Sequence, residues 1–188
     1  MKYLILLMSL MATKVMAADT FAEYDFDFKN NQKNTSQDHV VNSFVFGTKI
    51  LDNLTVGVKG EVENVRKSDN IEGLIQGQVK YNLFTFDAGI PVTPFVIAAI
   101  GEKYKVGNTF EFGVAGLGVN FKVTDKLGVD VAGRYRNSFE TIDHYETNEA
   151  SVKITYAIAE NHVVGIRAAV ERGDSNYDVI GASYQLRF

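Results

Sequence analysis

The sequence predicts an all-β protein: an antiparallel up-and-down transmembrane β-barrel, ten strands favoured and eight the alternative. Three observations carry this. Side chains alternate apolar and polar with a period of two through most of the chain. The N-terminus reads as a secretory signal. The last alternating segment ends on an aromatic, Phe188.

At the N-terminus, Met1-Lys2 supplies a positive charge and Tyr3 to Ala12 is apolar but for one serine. Val15-Met16-Ala17 then offers small residues where a signal peptidase reads. The run is too short for a transmembrane helix. Cleavage is expected after Ala17, with Ala18 next in line, giving a signal peptide over 1–17 and a barrel domain over 18–188. Lys2 and Lys14 leave with the signal, so the remainder is more acidic than the formal −4 of the 188-residue chain. An acidic exported chain argues against nucleic acid as a partner. No later apolar run approaches the roughly 18 residues of a membrane helix.

Strands are expected at 20–29, 40–51, 54–65, 71–84, 94–106, 109–122, 127–138, 147–158, 163–172 and 177–188. The last is the clearest: Ile180, Ala182, Tyr184, Leu186 and Phe188 alternate with Val179, Gly181, Ser183, Gln185 and Arg187. Leu54, Val56, Val58 and Val62 oppose Thr55, Lys59, Glu61 and Glu63 in the same way, and Val152, Ile154, Tyr156 and Ile158 oppose Ser151, Lys153 and Thr155. Asp52-Asn53, Gly107-Asn108, Thr124-Asp125-Lys126, Glu160-Asn161 and Gly173 to Asn176 suit tight turns. Pro91 and Pro94 argue against a central ladder position, although Phe84 to Ile90 could extend the fourth strand. A turn at Gly107-Asn108 pairs Val106 with Thr109 and Tyr104 with Glu111. That register turns Leu117, Val119 and Phe121 outward together with Glu102 and Glu111, so the tip of this hairpin should rise above the hydrocarbon.

Composition is silent on membrane or water. Hydrophobic residues are 46% and charged ones 22%, and an alternating barrel averages to neutral hydropathy. With no cysteine there is no disulfide, thiolate metal site or lipoprotein anchor; with no tryptophan, an aromatic girdle must come from 9 Tyr and 13 Phe.

Tyr184, Leu186 and Phe188 resemble the terminal signature of bacterial outer-membrane proteins, which the barrel-assembly machinery reads. Thr93-Pro94-Phe95 through Gly101, followed by Gly113 to Val119, is similar to the opacity-type and OmpA-like small barrels. That resemblance implies outer-membrane lipids, lipopolysaccharide and the assembly machinery as partners of a monomer; an even number of strands puts both termini on one side, expected to be the periplasm in this class. Those families usually have eight strands; an eight-strand arrangement here would discard two well-alternating segments. A soluble lipocalin-like periplasmic binder would put the apolar face inside instead.

With the apolar face to lipid, the lumen is charged. Glu61, Glu63, Lys80, Asp130, Arg134, Arg136, Lys153, Arg167 and Arg187 are expected to line it. Such charges must be paired or hydrated. At ten strands the interior lies between a filled barrel and an open channel. Two readings stay open: a structural barrel plugged by salt bridges, or a narrow porin-like path constricted near Arg134, Arg136 and Arg167. Adhesion would fall to the external loops, the longest only Asn30 to His39. An enzyme acting on lipid A would need a histidine near a carboxylate. His39 and His144 fall in expected external loops beside Asp38 and Asp143, and His162 at a periplasmic turn. A loop histidine beside an aspartate is usually incidental, so no catalytic residue, metal or cofactor is expected.

Overall fold

The computed structural model describes residues 19–32, 38–65, 71–140, 145–174 and 176–188. The expected signal peptide and its cleavage site lie outside them. The described residues form eleven strands and no helix: β1 (Thr20–Asn31), β2 (His39–Leu51), β3 (Leu54–Val65), β4 (Ile71–Asn82), β5 (Phe86–Asp87), β6 (Pro91–Lys105), β7 (Asn108–Lys122), β8 (Leu127–Ser138), β9 (Thr147–Ala159), β10 (His162–Gly173) and β11 (Tyr177–Arg187). All but the two-residue β5 are staves of one ring. Each pairs antiparallel with its sequence neighbour, β11 returns to β1, and β4 pairs with β6. Ten strands therefore close a barrel, which removes every long free edge.

The staves are strongly staggered. One row of paired residues runs Tyr24, Phe44, Gly60, Ile75, Glu102, Glu111. It starts near the beginning of β1 and reaches the tip of the β6–β7 hairpin within six strands. Such a climb is what tilted strands need to close. The end that holds Thr20 and Phe188 is called the terminal end below, since the Phe188 amide donates to the Thr20 carbonyl there at 2.8 Å. The opposite end carries the connections after β1, β3, β6, β8 and β10 and is called the loop end.

The faces settle the orientation. On β11, Ile180 is 73% exposed and its neighbour Val179 1%. Leu117, Ile166 and Phe44 also stand bare on the outside, whereas Glu63, Lys103 and Glu171 are buried within. This is the reverse of a soluble barrel, so the lipocalin-like arrangement does not apply.

Two local expectations need correcting. The β6–β7 turn is Val106-Gly107, one residue earlier than expected, with Gly107 at φ 78. Tyr104 therefore faces Thr109, and Glu102 faces Glu111. The register moves by two residues, and an even shift leaves every side chain on its expected face. Second, Pro91 and Pro94 both lie within β6. Pro94 faces Val119 in the β7 ladder, while its carbonyl accepts the Leu83 amide at 2.9 Å on the other side. Its nitrogen, which points to the same side as its carbonyl, meets β4 where the regular ladder has just ended at Asn82–Phe95. The missing donor is thus spent where the ladder no longer calls for it.

Candidate functional site: the barrel lumen

Odd-numbered residues of β1 point inward: Glu23, Asp25, Asp27 and Lys29. The same alternation on the other staves brings acidic and basic side chains together in three tiers.

The tier nearest the loop end is centred on Glu63 of β3. Its Oε1 lies 2.7 Å from His39 Nδ1 and 3.7 Å from Lys29 Nζ; its Oε2 lies 2.6 Å from Lys103 Nζ. Lys29 reaches on to Glu171 at 3.3 Å, and Lys103 to Glu72 at 3.1 Å. The second nitrogen of His39 meets the Tyr177 hydroxyl at 3.1 Å. Beside this ionic knot stands an aromatic one. Tyr145 sits edge-on to Phe110 and Phe112, with ring centres 5.0 and 5.4 Å apart. Arg136 donates to the Tyr145 hydroxyl at 2.9 Å, and Lys105 lies over the Phe110 ring. Phe110 and Phe112 are fully buried.

In the middle tier Arg167 bridges two strands. One amino group meets Asp27 Oδ2 at 2.7 Å, the other Glu149 Oε1 at 2.9 Å. The second contact is a close ion pair. Glu149 also feels the guanidinium groups of Arg134 and Arg136. Arg134 lies in the field of both Glu149 and Lys80, and its buried Nε has no hydrogen-bond partner among the described residues.

The tier nearest the terminal end is looser. Lys153 pairs with Glu23 and, at 3.4 Å, with Asp25. Gln185 donates to Glu23 at 3.1 Å. Lys80 lies over the Phe95 ring, 3.9 Å from its centre, and 3.9 Å from Asp130, which also accepts from Asn120 at 3.1 Å.

The most buried pair is Glu63 and Lys103 in the first tier, at 6% and 4% exposure, and the most exposed lumen lysine of the third is Lys80 at 38%; Glu72 at the edge of the first tier reaches 21%. Among the described residues the lumen is packed most tightly around Glu63 and Lys103 toward the loop end and most loosely around Lys80 toward the terminal end. Buried charges are tolerable here because each tier mixes both signs.

Of the residues singled out from the sequence, Glu63 is the hub of the first tier. Glu61 pairs with Lys59 at 2.7 Å on the inner wall. Arg136 lies between the aromatic knot and the middle tier, Arg134 and Arg167 in the middle, and Lys80, Asp130 and Lys153 in the last. Arg187 stands exposed at the terminal rim and donates to Gln185 at 3.0 Å. Glu63, Lys103 and Phe112 are all buried. His39 is no loop residue: it opens β2 with its ring buried in the lumen. His144 and Asp143 lie outside the described residues. His162 opens β10 and bonds the outward Tyr184 hydroxyl at 2.6 Å.

Sequence reasoning missed Lys29, His39, Phe110, Phe112 and Tyr177 as lumen residues. A signal existed for some. Lys29 continues the inward parity of Asp25 and Asp27. His39 shares that of Val41 and Ser43. Once Glu111 is outward, Phe110 and Phe112 must point in.

No protein family and no curated protein matches the sequence. Solved structures do match its fold. The β-domain of the Bordetella autotransporter BrkA aligns with a TM-score of 0.51 at 10% identity, over 90% of this chain and 99% of that one. The KdgM porin aligns with 0.51 at 9% identity, over 89% and 99%. The translocator domain of the autotransporter NalP from Neisseria meningitidis aligns with 0.50 at 9% identity, over 100% and 94%. This chain has the fold of small outer-membrane β-barrels.

Proposed function

We propose that this protein is an integral outer-membrane barrel whose lumen is closed at rest, a structural element of the cell envelope rather than an open diffusion pore. The observation that carries this is the first tier. Glu63, Lys29, Lys103, His39 and Glu171 form one buried network, and Phe110, Phe112 and Tyr145 fill the space beside it. A solute would have to break several ion pairs to pass. Leaving one member of such a network uncompensated costs about 3–5 kcal/mol.

The outer-membrane location is supported by the apolar outer face and by the shared fold. In that setting the outward face of Tyr184, Leu186 and Phe188 serves the barrel-assembly machinery, and lipid and lipopolysaccharide surround a monomer. The terminal end then faces the periplasm, as an even number of staves with short turns at that end suggests. Porins such as KdgM, solved with disordered oligogalacturonate, share the fold, but a likeness of fold transfers no solute.

Planar-bilayer recording tests the closed lumen. Purified, heat-modifiable barrel should insert repeatedly without conductance steps. Stable ohmic steps from the unaltered protein would overturn the reading.

A further inference from the structure

The connection from β4 to β6 is unlike the other links at the terminal end. The β2–β3 and β9–β10 links are Asp52-Asn53 and Glu160-Asn161, and the β7–β8 link carries a single apolar residue, Val123, ahead of Thr124-Asp125-Lys126. The β4–β6 connection runs from Leu83 to Ile90 and leaves Leu83, Phe84 and Phe86 exposed, Phe84 at 62%.

Its register explains how. β4 pairs with β6 up to Asn82–Phe95; β5 then takes over the same edge of β6 with Phe86–Val92 and Asp87–Pro91. β5 is therefore β4 continued after one extra residue, a bulge over Leu83–Thr85. The extra residue reverses parity. Outward residues on β4 are odd-numbered, ending with Tyr81; beyond the bulge they are even-numbered, Phe84 and Phe86. The Thr85 hydroxyl meets that of Thr93 at 2.8 Å on the inward side. The two phenylalanine rings lie 5.9 Å apart on the other. Val92 stands between Phe86 and Phe121 in register and is buried although it faces outward.

We infer that this tongue, residues 83–92, is an interaction surface for lipid: it lies in the interface of the leaflet at the terminal end, with Phe84 and Phe86 at the boundary of head groups and acyl chains. The inference rests on the outer-membrane reading. Continuity argues for lipid as the occupant. The rings prolong the apolar outer wall of β4, β6 and β7 without a break, and the bulge keeps them on that wall where an unbroken strand would turn them toward the lumen. Aromatic side chains favour that depth of a bilayer, and two exposed phenylalanines cost free energy in water.

Absence of native tryptophan provides the test. Phe84→Trp and, separately, Leu117→Trp each install a sole fluorophore in the full barrel, refolded into phosphatidylcholine vesicles. Lipids brominated near the head-group end of the acyl chain should quench Phe84→Trp at least twofold, more than lipids brominated deeper, and acrylamide should quench it weakly. Leu117→Trp serves as the wall reference. Quenching of Phe84→Trp by acrylamide but not by brominated lipid, while Leu117→Trp responds to lipid, overturns the tongue and spares the barrel. If brominated lipid quenches neither, the membrane reading falls and the tongue with it.

Discussion

Glu63 on β3 and Lys103 on β6 meet over the intervening stave β4, carboxylate to ammonium at 2.6 Å, with both side chains almost wholly buried. The contact ties together two strands that share no ladder. Since Glu63 also holds Lys29 and His39, it links β1, β2, β3 and β6 through one side chain.

Removing that hub should be expensive. Glu63→Gln leaves two buried ammonium groups short of counter-charge, so a loss of about 3–5 kcal/mol is expected. The urea midpoint of the refolded barrel in vesicles measures it. Lys126→Gln, at an exposed turn, should stay within about 0.5 kcal/mol as control. A Glu63→Gln barrel as stable as the parent would mean that the network is not formed.

The fit of Phe95 across the β6–β7 pair predicts a steric effect. A Cβ on Gly118 would lie 2.4 Å from Phe95 Cζ and 2.6 Å from the Val131 carbonyl. Gly118→Ala should lower stability by about 1–3 kcal/mol and push the ring from beneath Lys80. Adding Phe95→Leu should recover part of the loss. The temperature at which the compact gel band converts to the unfolded one reads both, and an additive double variant would refute the coupling.

The outer wall predicts a dependence on depth. Leu117 is 69% exposed on that wall, and Leu117→Arg should cost about 2–4 kcal/mol in a bilayer if it sits near the midplane. Glu102 already places a carboxylate outside near the loop-end tip, where Tyr104 donates to it at 2.7 Å. Glu102→Leu should therefore change folded stability little, by about 0–1 kcal/mol. Equal effects at the two sites would contradict the proposed height of the hairpin.

Assembly is a separate readout. Phe188→Ala removes the last outward aromatic of the face that holds Tyr184 and Leu186. Outer-membrane levels should fall several-fold while export to the periplasm persists, as fractionation and blotting would show. Undiminished levels would remove this face as an assembly signal.

Much of this was legible because a barrel writes its faces into the sequence with period two. The β11 alternation, the ten staves and the closing pair of β1 with β11 all follow from that period and from the turn residues. The pairing partners within the lumen were not legible. Lys29 finds Glu171, two staves away, only because the stagger carries one strand past the next, and stagger leaves no trace in a single strand's pattern. His39 was lost to a boundary set one residue late. Phe110 and Phe112 hid because an inward aromatic and a lipid-facing one look alike until the hairpin register assigns them. The bulge after Asn82 escaped for a related reason: one extra residue reverses parity without changing composition.

With the lumen closed as proposed, the rise in exposure from Lys103 to Lys80 would give the barrel the form of a cup. A small reagent arriving from the terminal end would then reach Lys80 and Asp130 and leave by the way it entered, while one arriving from the loop end would meet a floor. Such a cup would hold its contents next to a private set of paired charges, and its traffic would be exchange with a single compartment rather than passage between two.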